Sequence, residues 1–295
     1  MNASMLPIYA ANFLVKRLRK VAESLDQSAD YIDACRSLTK HQRAILQRNA
    51  AFADKHKGQP AFVIVNGPSL ASQDILCLKD QITFVVSGFW KHDAVLNWQP
   101  TYYSLLDAAF FNNSDATQTF YQNLHKRVKN STFFLPLFRG FDAVREHGYL
   151  PEKQIQYVAA VGEKVSGNDL TGIVQSFAGV SAFALSQAIY MGCNPIYLLG
   201  FDHNYLANRG VDQHFYAGDI LNGHPSTNIP LSELSAYDDE MRANLHLWKN
   251  YRILDGVAKS KHIKIFNATN GGYLDVFERA DYEKVIRDIL RATGE

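Results

Sequence analysis

The sequence predicts an α/β fold in which a mainly parallel, doubly wound sheet is covered by helices. Short apolar runs rich in β-branched and aromatic residues alternate with helix-length segments. The first of these runs, Ala61 to Val65, carries no polar face, which places it in a sheet buried on both sides. The clearest helix passes directly into another such run. With 295 residues, 47% of them hydrophobic and 12% aromatic, the chain can bury a substantial core. That excludes a disordered or fibrous class.

The first fifteen residues are apolar but broken by Pro7, and Lys16, Arg17, Arg19 and Lys20 follow them. A secretory signal has the opposite order, cations first, and the run is shorter than the about 20 residues that span a bilayer. It reads either as an interfacial amphipathic anchor or as a helix packed on the body of the protein or on a second subunit; the packing role is preferred. From Lys16 to about Lys57, Leu18, Val21, Leu25, Ile32, Leu38, Ile45 and Leu46 recur at helical spacings. Residues 1–57 are therefore an N-terminal helical extension, and 58–295 the main domain.

Lys55 to Pro60 breaks the helical pattern, and Ala61 to Val65 reads as the first buried strand. Further strands are expected at Ile82 to Val86, Thr101 to Leu106, Thr132 to Leu135, Gln156 to Val161, Ile196 to Leu199 and Ile263 to Phe266. Gly179 to Gly192 is the clearest helix: small residues let it approach the sheet, and Gly192 is placed to stop it. About 206–233 the chain is polar and rich in Gly, Pro, Asn and His, as lids and binding loops are. Leu234 to Val257 and Tyr282 to Ala292 read as the last helices. No internal repeat or low-complexity tract is present.

Thirty Lys and Arg balance 29 Asp and Glu, so no global field favours nucleic acid, and charged ligands must be met by local groups. Cys35, Cys77 and Cys193 form no CxxC pair. They read as small apolar fillers in a reducing, cytoplasmic compartment rather than a zinc site or disulfide framework.

In open α/β sheets ligands bind beyond the carboxyl ends of strands, which directs attention to the residues after each run. Asn66-Gly67-Pro68-Ser69 comes first: Gly67 permits close backbone approach, Pro68 stiffens the turn, and Asn66 and Ser69 supply hydrogen bonds. This is neither GxGxxG nor GxxxxGK[ST], so the ordinary dinucleotide and P-loop readings lose their support. Ser87-Gly88, Asp107, Ala178-Gly179 and Gly200-Phe201-Asp202-His203-Asn204-Tyr205 end or follow other predicted elements. Their convergence would make a nucleotide pocket; singly, each is also a normal cap or turn. No Asp-x-Asp follows a strand, and Asp238-Asp239-Glu240 reads as the solvated face of a helix. Asn267 to Leu274 reads equally as a segment that closes the pocket or contacts an acceptor, or as a simple turn.

The Asn66-Gly67-Pro68-Ser69-Leu70 turn, the Ala178-Gly179-Val180 helix start and the Ile196 to Asp202 strand end resemble the bacterial sialyltransferases of glycosyltransferase family 42. They also resemble the wider group that includes archaeal MptE-like 6-hydroxymethylpterin diphosphokinases. The resemblance spans about Ala61 to Phe215. It implies a Rossmann-like domain that binds CMP-sialic acid without a required metal or cofactor, under a lid whose His-Tyr pair supplies a general base. The matching stretch is His214-Phe215-Tyr216, with Phe215 where the pair has Tyr. Ser87 and Asp107 stand where two nucleotide-contacting asparagines would align.

Strand-end position and the resemblance together give the nucleotide to Asn66, Gly67, Pro68, Ser69, Ser87, Asp107, Ala178, Gly179, Gly200 and Asp202; the resemblance alone gives the base to His214 and the departing phosphate to Tyr205 and Tyr216. An imidazole, ordinarily titrating near 6.5, suits proton removal from an attacking hydroxyl; His203 and His224 are rival bases. The expected activity is inverting transfer of a CMP-activated acidic sugar to a surface glycan, lipopolysaccharide or glycolipid. Two alternatives stand beside it. One is Mg²⁺-dependent pyrophosphoryl transfer from ATP to a pterin, using Asp107 and Asp202. The other is a non-catalytic nucleotide-sugar-binding protein, suggested by Phe215. The basic start allows peripheral contact with the inner face of the cytoplasmic membrane, at about 1 kcal/mol per cation, and the apolar preface leaves a homo-oligomer open.

Overall fold

The computed structural model describes residues 15, 17, 18, 29–162, 167–209, 211, 214–216 and 235–293. Among them nine strands form one sheet: β1 (Ala61–Ile64), β2 (Ile82–Val86), β3 (Tyr102–Ser104), β4 (Thr132–Pro136), β5 (Ile155–Ala160), β6 (Ile173–Val174), β7 (Ile196–Leu199), β8 (Ile265–Asn267) and β9 (Glu278–Arg279). Their order is β6-β5-β4-β3-β2-β1-β7-β8-β9. Every pairing is parallel. The chain winds outward from β1 to β6, then returns to the other side of β1 for β7 to β9. The border between β1 and β7 is therefore the topological switch point, where open α/β sheets place their ligands.

Period-two alternation sends Phe62 and Ile64 of β1 to one face with Val85, Tyr103 and Leu135. It sends Ala61 and Val63 to the other with Phe84, Val86 and Phe183. Both faces are covered, which is why these strands read as unbroken apolar runs. The first face packs against helical residues 29–37 (α1), α2 (Lys40–Gln47), α3 (Asp115–Arg127), α4 (Leu137–His147) and α7 (Tyr282–Thr293). The second packs against α5 (Val180–Tyr190) and α6 (Tyr237–Ser260).

Residues 181–190 of α5 are all buried, between the sheet and α6. Gly192 ends the helical segment at φ +73°, as the sequence predicts, and Cys193 N donates to Ala188 O at 3.2 Å. Thr39 and Gln42 form a capping box on α2. Beyond that helix, buried Asn49 donates to Tyr157 O at 2.8 Å and Leu170 O at 2.7 Å, stitching the extension to the sheet layer. α6 begins at Tyr237, the expected start Leu234 lying outside the described residues, and Asp238, Asp239 and Glu240 fall in its first turn, where the helix dipole favours acids. Glu240 pairs with Arg209 at 2.7 Å.

Cys35, Cys77 and Cys193 are free thiols, and burial pushes Cys193 up to about 12. Among the described residues no helix is long and apolar enough to cross a membrane. The apolar run before Val15, and most of the loop expected at about 206–233, lie outside the described residues.

Candidate functional site

A cavity of about 500 Å³ opens at the carboxyl ends of β1, β2, β3 and β7, across the β1/β7 border. Asn66 and Gly67 reach it from β1, Ser87 from β2, Asp107 from β3, and Gly200 and Tyr205 from β7. Ala178 and Gly179 meet it at the start of α5, while His214 and Tyr216 line it from the expected loop. Pro68, Ser69 and Asp202, also expected at the nucleotide, are not in its wall.

Their chemistry explains the difference. Pro68 opens a short 3₁₀ turn over Pro68–Ser72. Ser69 donates through Oγ to Asp202 Oδ2 at 2.8 Å and through its backbone N–H to Asp202 Oδ1 at 3.2 Å. The two turns flanking the switch point are thus tied to each other, and burial raises the Asp202 carboxyl while the Ser69 bonds oppose the rise. Gly67 N donates to Gly200 O at 3.1 Å, and a Cβ on Gly67 would collide with the Asp202 carboxylate and that same carbonyl. Asn267 to Leu274 buttresses this arrangement rather than lining the cavity. Tyr273 N donates to Asp202 O at 2.7 Å, and Arg279 holds the carbonyls of Thr269, Gly271 and Gly272.

Two non-glycine residues in the cavity wall occupy the left-handed region, Ser87 at φ +44° and His203 at φ +47°. Such backbone strain persists only where surrounding contacts enforce it. At Ser87 the enforcer is buried Tyr103, whose hydroxyl donates to Ser87 O at 2.6 Å and accepts from Trp90 N at 3.1 Å. Asp107 caps the next turn, accepting from Ala109 N at 3.2 Å.

Phe215 N donates to Asn66 O at 2.9 Å. Its ring sits 5.1 Å from His92 and 6.5 Å from Phe89, packed against the core. A phenylalanine here therefore has a packing role, and the residues on either side face the cavity. The His214 and Tyr216 rings stack with centroids 5.0 Å apart, and Lys91 Nζ lies 4.0 Å over the Tyr216 ring. A Cβ on Gly88 would collide with the Tyr216 hydroxyl, so a glycine is what lets that phenol lie against β2's end.

His203 is only 7% exposed. Its Nε2 bonds the Tyr251 hydroxyl at 2.7 Å, and that hydroxyl meets Ser181 Oγ at 2.6 Å. Burial lowers His203 to about 4, leaving a neutral and weakly basic imidazole. In the unfolded chain a histidine takes its proton near 6.5. As pH falls from 6.5 toward 4 the unfolded state binds that proton first, so stability drops by roughly 3 kcal/mol across the window. Denaturant melts at pH 7.5 and 4.5 are expected to show this loss, with a flatter slope in His203→Asn; equal slopes would discount the buried imidazole. The ring of Tyr205 is partly exposed, yet burial around its hydroxyl, with Asp202 nearby, pushes the phenol up to about 12. It remains a neutral donor. His224 lies outside the described residues.

Sequence reasoning missed Arg139, Phe110 and Asn244, which also line the cavity. Arg139 follows β4 by three residues in the first turn of α4, so the strand-end rule could have found it. Asn244 comes from α6 and is brought in by tertiary packing alone. Among the described residues no group of three or more His, Cys, Asp or Glu is placed to hold a metal ion.

No protein-family model matches the chain, and no curated protein sequence is similar to it. Solved structures do align with it. The sialyltransferase CstII from Campylobacter jejuni, in complex with the substrate analogue CMP-3FNeuAc, is 12% identical, with 75% of this chain and 86% of that chain covered and a TM-score of 0.43. The sialyltransferase CST-II in complex with a trisaccharide acceptor and CMP is also 12% identical, covering 75% of this chain and 85% of that chain with a TM-score of 0.42. At that distance the functional reading stands on the site's own geometry.

Proposed function

We propose that the chain is an inverting glycosyltransferase that moves an acidic sugar from a CMP-activated donor onto a surface glycan or lipopolysaccharide. One observation carries the reading: a single cavity at the switch point gathers an Asn-Gly turn, two imidazoles, two phenols and an arginine from separate chain segments. In this reading Asn66, Ser87 and Asp107 hydrogen-bond the nucleotide, while Gly67, Ala178, Gly179 and Gly200 let it approach the backbone. No side chain caps α5, so its first-turn N–H groups suit a phosphate. Arg139, without an ion-pair partner among the described residues, suits the carboxylate of an acidic sugar.

His214 takes the proton from the acceptor hydroxyl as its oxygen bonds to the anomeric carbon. The bond from that carbon to the CMP phosphate breaks, and the phosphate leaves with the electron pair. Tyr205 and Tyr216 donate hydrogen bonds to the departing oxygen, stabilising charge that develops only in the transition state. Attack from the face opposite the leaving group inverts the centre.

Pyrophosphoryl transfer would need Asp107 and Asp202 together on Mg²⁺, but Asp202 is engaged by Ser69 outside the cavity wall. That observation favours glycosyl transfer. A thermal-shift series with CMP, UDP, GDP and ATP, each with and without Mg²⁺, is expected to show stabilisation by CMP alone and independently of the metal. Transfer is expected to survive excess EDTA. ATP stabilisation that requires Mg²⁺ would replace this reading with the pyrophosphoryl one.

A further inference from the structure

A second cavity, of about 410 Å³, adjoins the first, and His203 and Asn244 belong to the walls of both. Its lining is largely apolar and aromatic: Met241, Leu245 and Trp248 from α6, Leu206 from the turn after β7, and Tyr273 from beyond β8. Leu245 is 55% exposed and Tyr273 62%, so large apolar side chains stand in water around one hollow. The indole is held in place. Trp248 Nε1 donates to Asp275 Oδ1 at 2.9 Å, and the ring lies 5.5 Å from that of His203 at 64°.

Polar groups occupy the edges. Arg252, one turn beyond Trp248 on α6, borders the hollow and has no ion-pair or hydrogen-bond partner among the described residues. Two buried wall atoms, His203 Nδ1 and Asn204 Oδ1, also have none. Leaving such an atom unpaired costs about 1–3 kcal/mol, a cost that a ligand hydroxyl reached by a small side-chain adjustment would relieve.

We propose that this hollow is the acceptor subsite and takes a pyranose ring bearing a carboxylate, an inference that rests on the glycosyl-transfer reading above. The apolar C–H face of the ring lies on Trp248 and Tyr273, the carboxylate meets Arg252, and ring hydroxyls face His203 and Asn204. An alkyl chain would fill the same hollow but leave all three polar groups unanswered. A hydroxyl projecting past His203 and Asn244 enters the donor cavity, where His214 stands.

The test is calorimetric titration of the full chain with cellobiouronic acid, with neutral cellobiose and with octanoate, alongside a separate CMP titration. The acid is expected to bind at least about tenfold more tightly than cellobiose. Trp248→Ala is expected to weaken it about tenfold, and Arg252→Gln to abolish the difference between acid and neutral sugar. Leu245→Glu, at an exposed position, repels the same ligand without removing core volume and serves where Trp248→Ala does not fold. Absence of saccharide binding to the wild type, unchanged binding in all three variants, or binding of octanoate alone overturns the acceptor subsite. Failure of CMP to bind overturns the donor reading instead, and the saccharide titrations still decide the hollow.

Discussion

His214→Ala is expected to cut glycosyl transfer about 10²–10⁴-fold, the usual contribution of a positioned general base, while leaving CMP binding within about a factor of three of the wild type. The expectation follows from how the segment is mounted. Phe215 fixes its backbone to Asn66 and its ring among Phe89 and His92, so truncating its neighbour removes an imidazole without releasing the anchor. The stacked phenol of Tyr216 remains on Gly88. Single-turnover assays separate the chemical step from product release. Full transfer in His214→Ala, with loss in His203→Asn, would reassign the base to the buried imidazole.

Gly67→Ala is expected to have the largest effect on the scaffold. The new methyl group would meet the Asp202 carboxylate and the Gly200 carbonyl. The carboxylate is held by two hydrogen bonds from Ser69, and Gly200 sits in the left-handed region with its own Cβ position against Val65 O. Neither neighbour has room to yield. Overpacking of this kind costs about 1–3 kcal/mol, which for a chain of this size lowers the melting temperature by roughly 2–5 °C, and CMP binding is expected to be lost with the turn. Gly256→Ala is the control. It lies inside α6 with nothing within 4 Å of the added methyl, so removing a helical glycine there stabilises by up to about 1 kcal/mol. Equal melting temperatures in the two variants would show that the turn tolerates a side chain.

The sheet was legible because parallel strands covered on both sides need apolar residues at nearly every position, and β1 and β7 supply them throughout. β6 and β9 have two residues each, too few for any periodicity to register. Strand-end logic assembled Asn66, Ser87, Asp107 and Gly200 in one place because carboxyl ends in a parallel sheet share an edge. The same logic also reached Ser69 and Asp202, which bond each other outside the cavity wall. A turn serine and a turn aspartate look alike whether they face ligand or each other, and only the tertiary approach of β1 and β7 decides it. Phe215 was legible as a departure from the His-Tyr pattern but not as a core residue, since its apolar neighbours are more than a hundred positions away in sequence. The second cavity was foreshadowed only by the Asn267 to Leu274 turn, because its other walls come from separate elements that only tertiary packing joins. Its aromatic residues arrive from the middle of α6 and from beyond β8.

The bond between Ser69 and Asp202 has a thermodynamic consequence. Because it joins the turns on either side of β1 and β7, the shape of the recess is settled when the chain folds. A loose loop would surrender about 1–2 kcal/mol of backbone entropy per residue on meeting its ligand; here that loss belongs to the folding equilibrium. Association of a nucleotide with this edge of the sheet should accordingly be led by enthalpy, with rigid-body kinetics and little backbone reorganisation at the two turns.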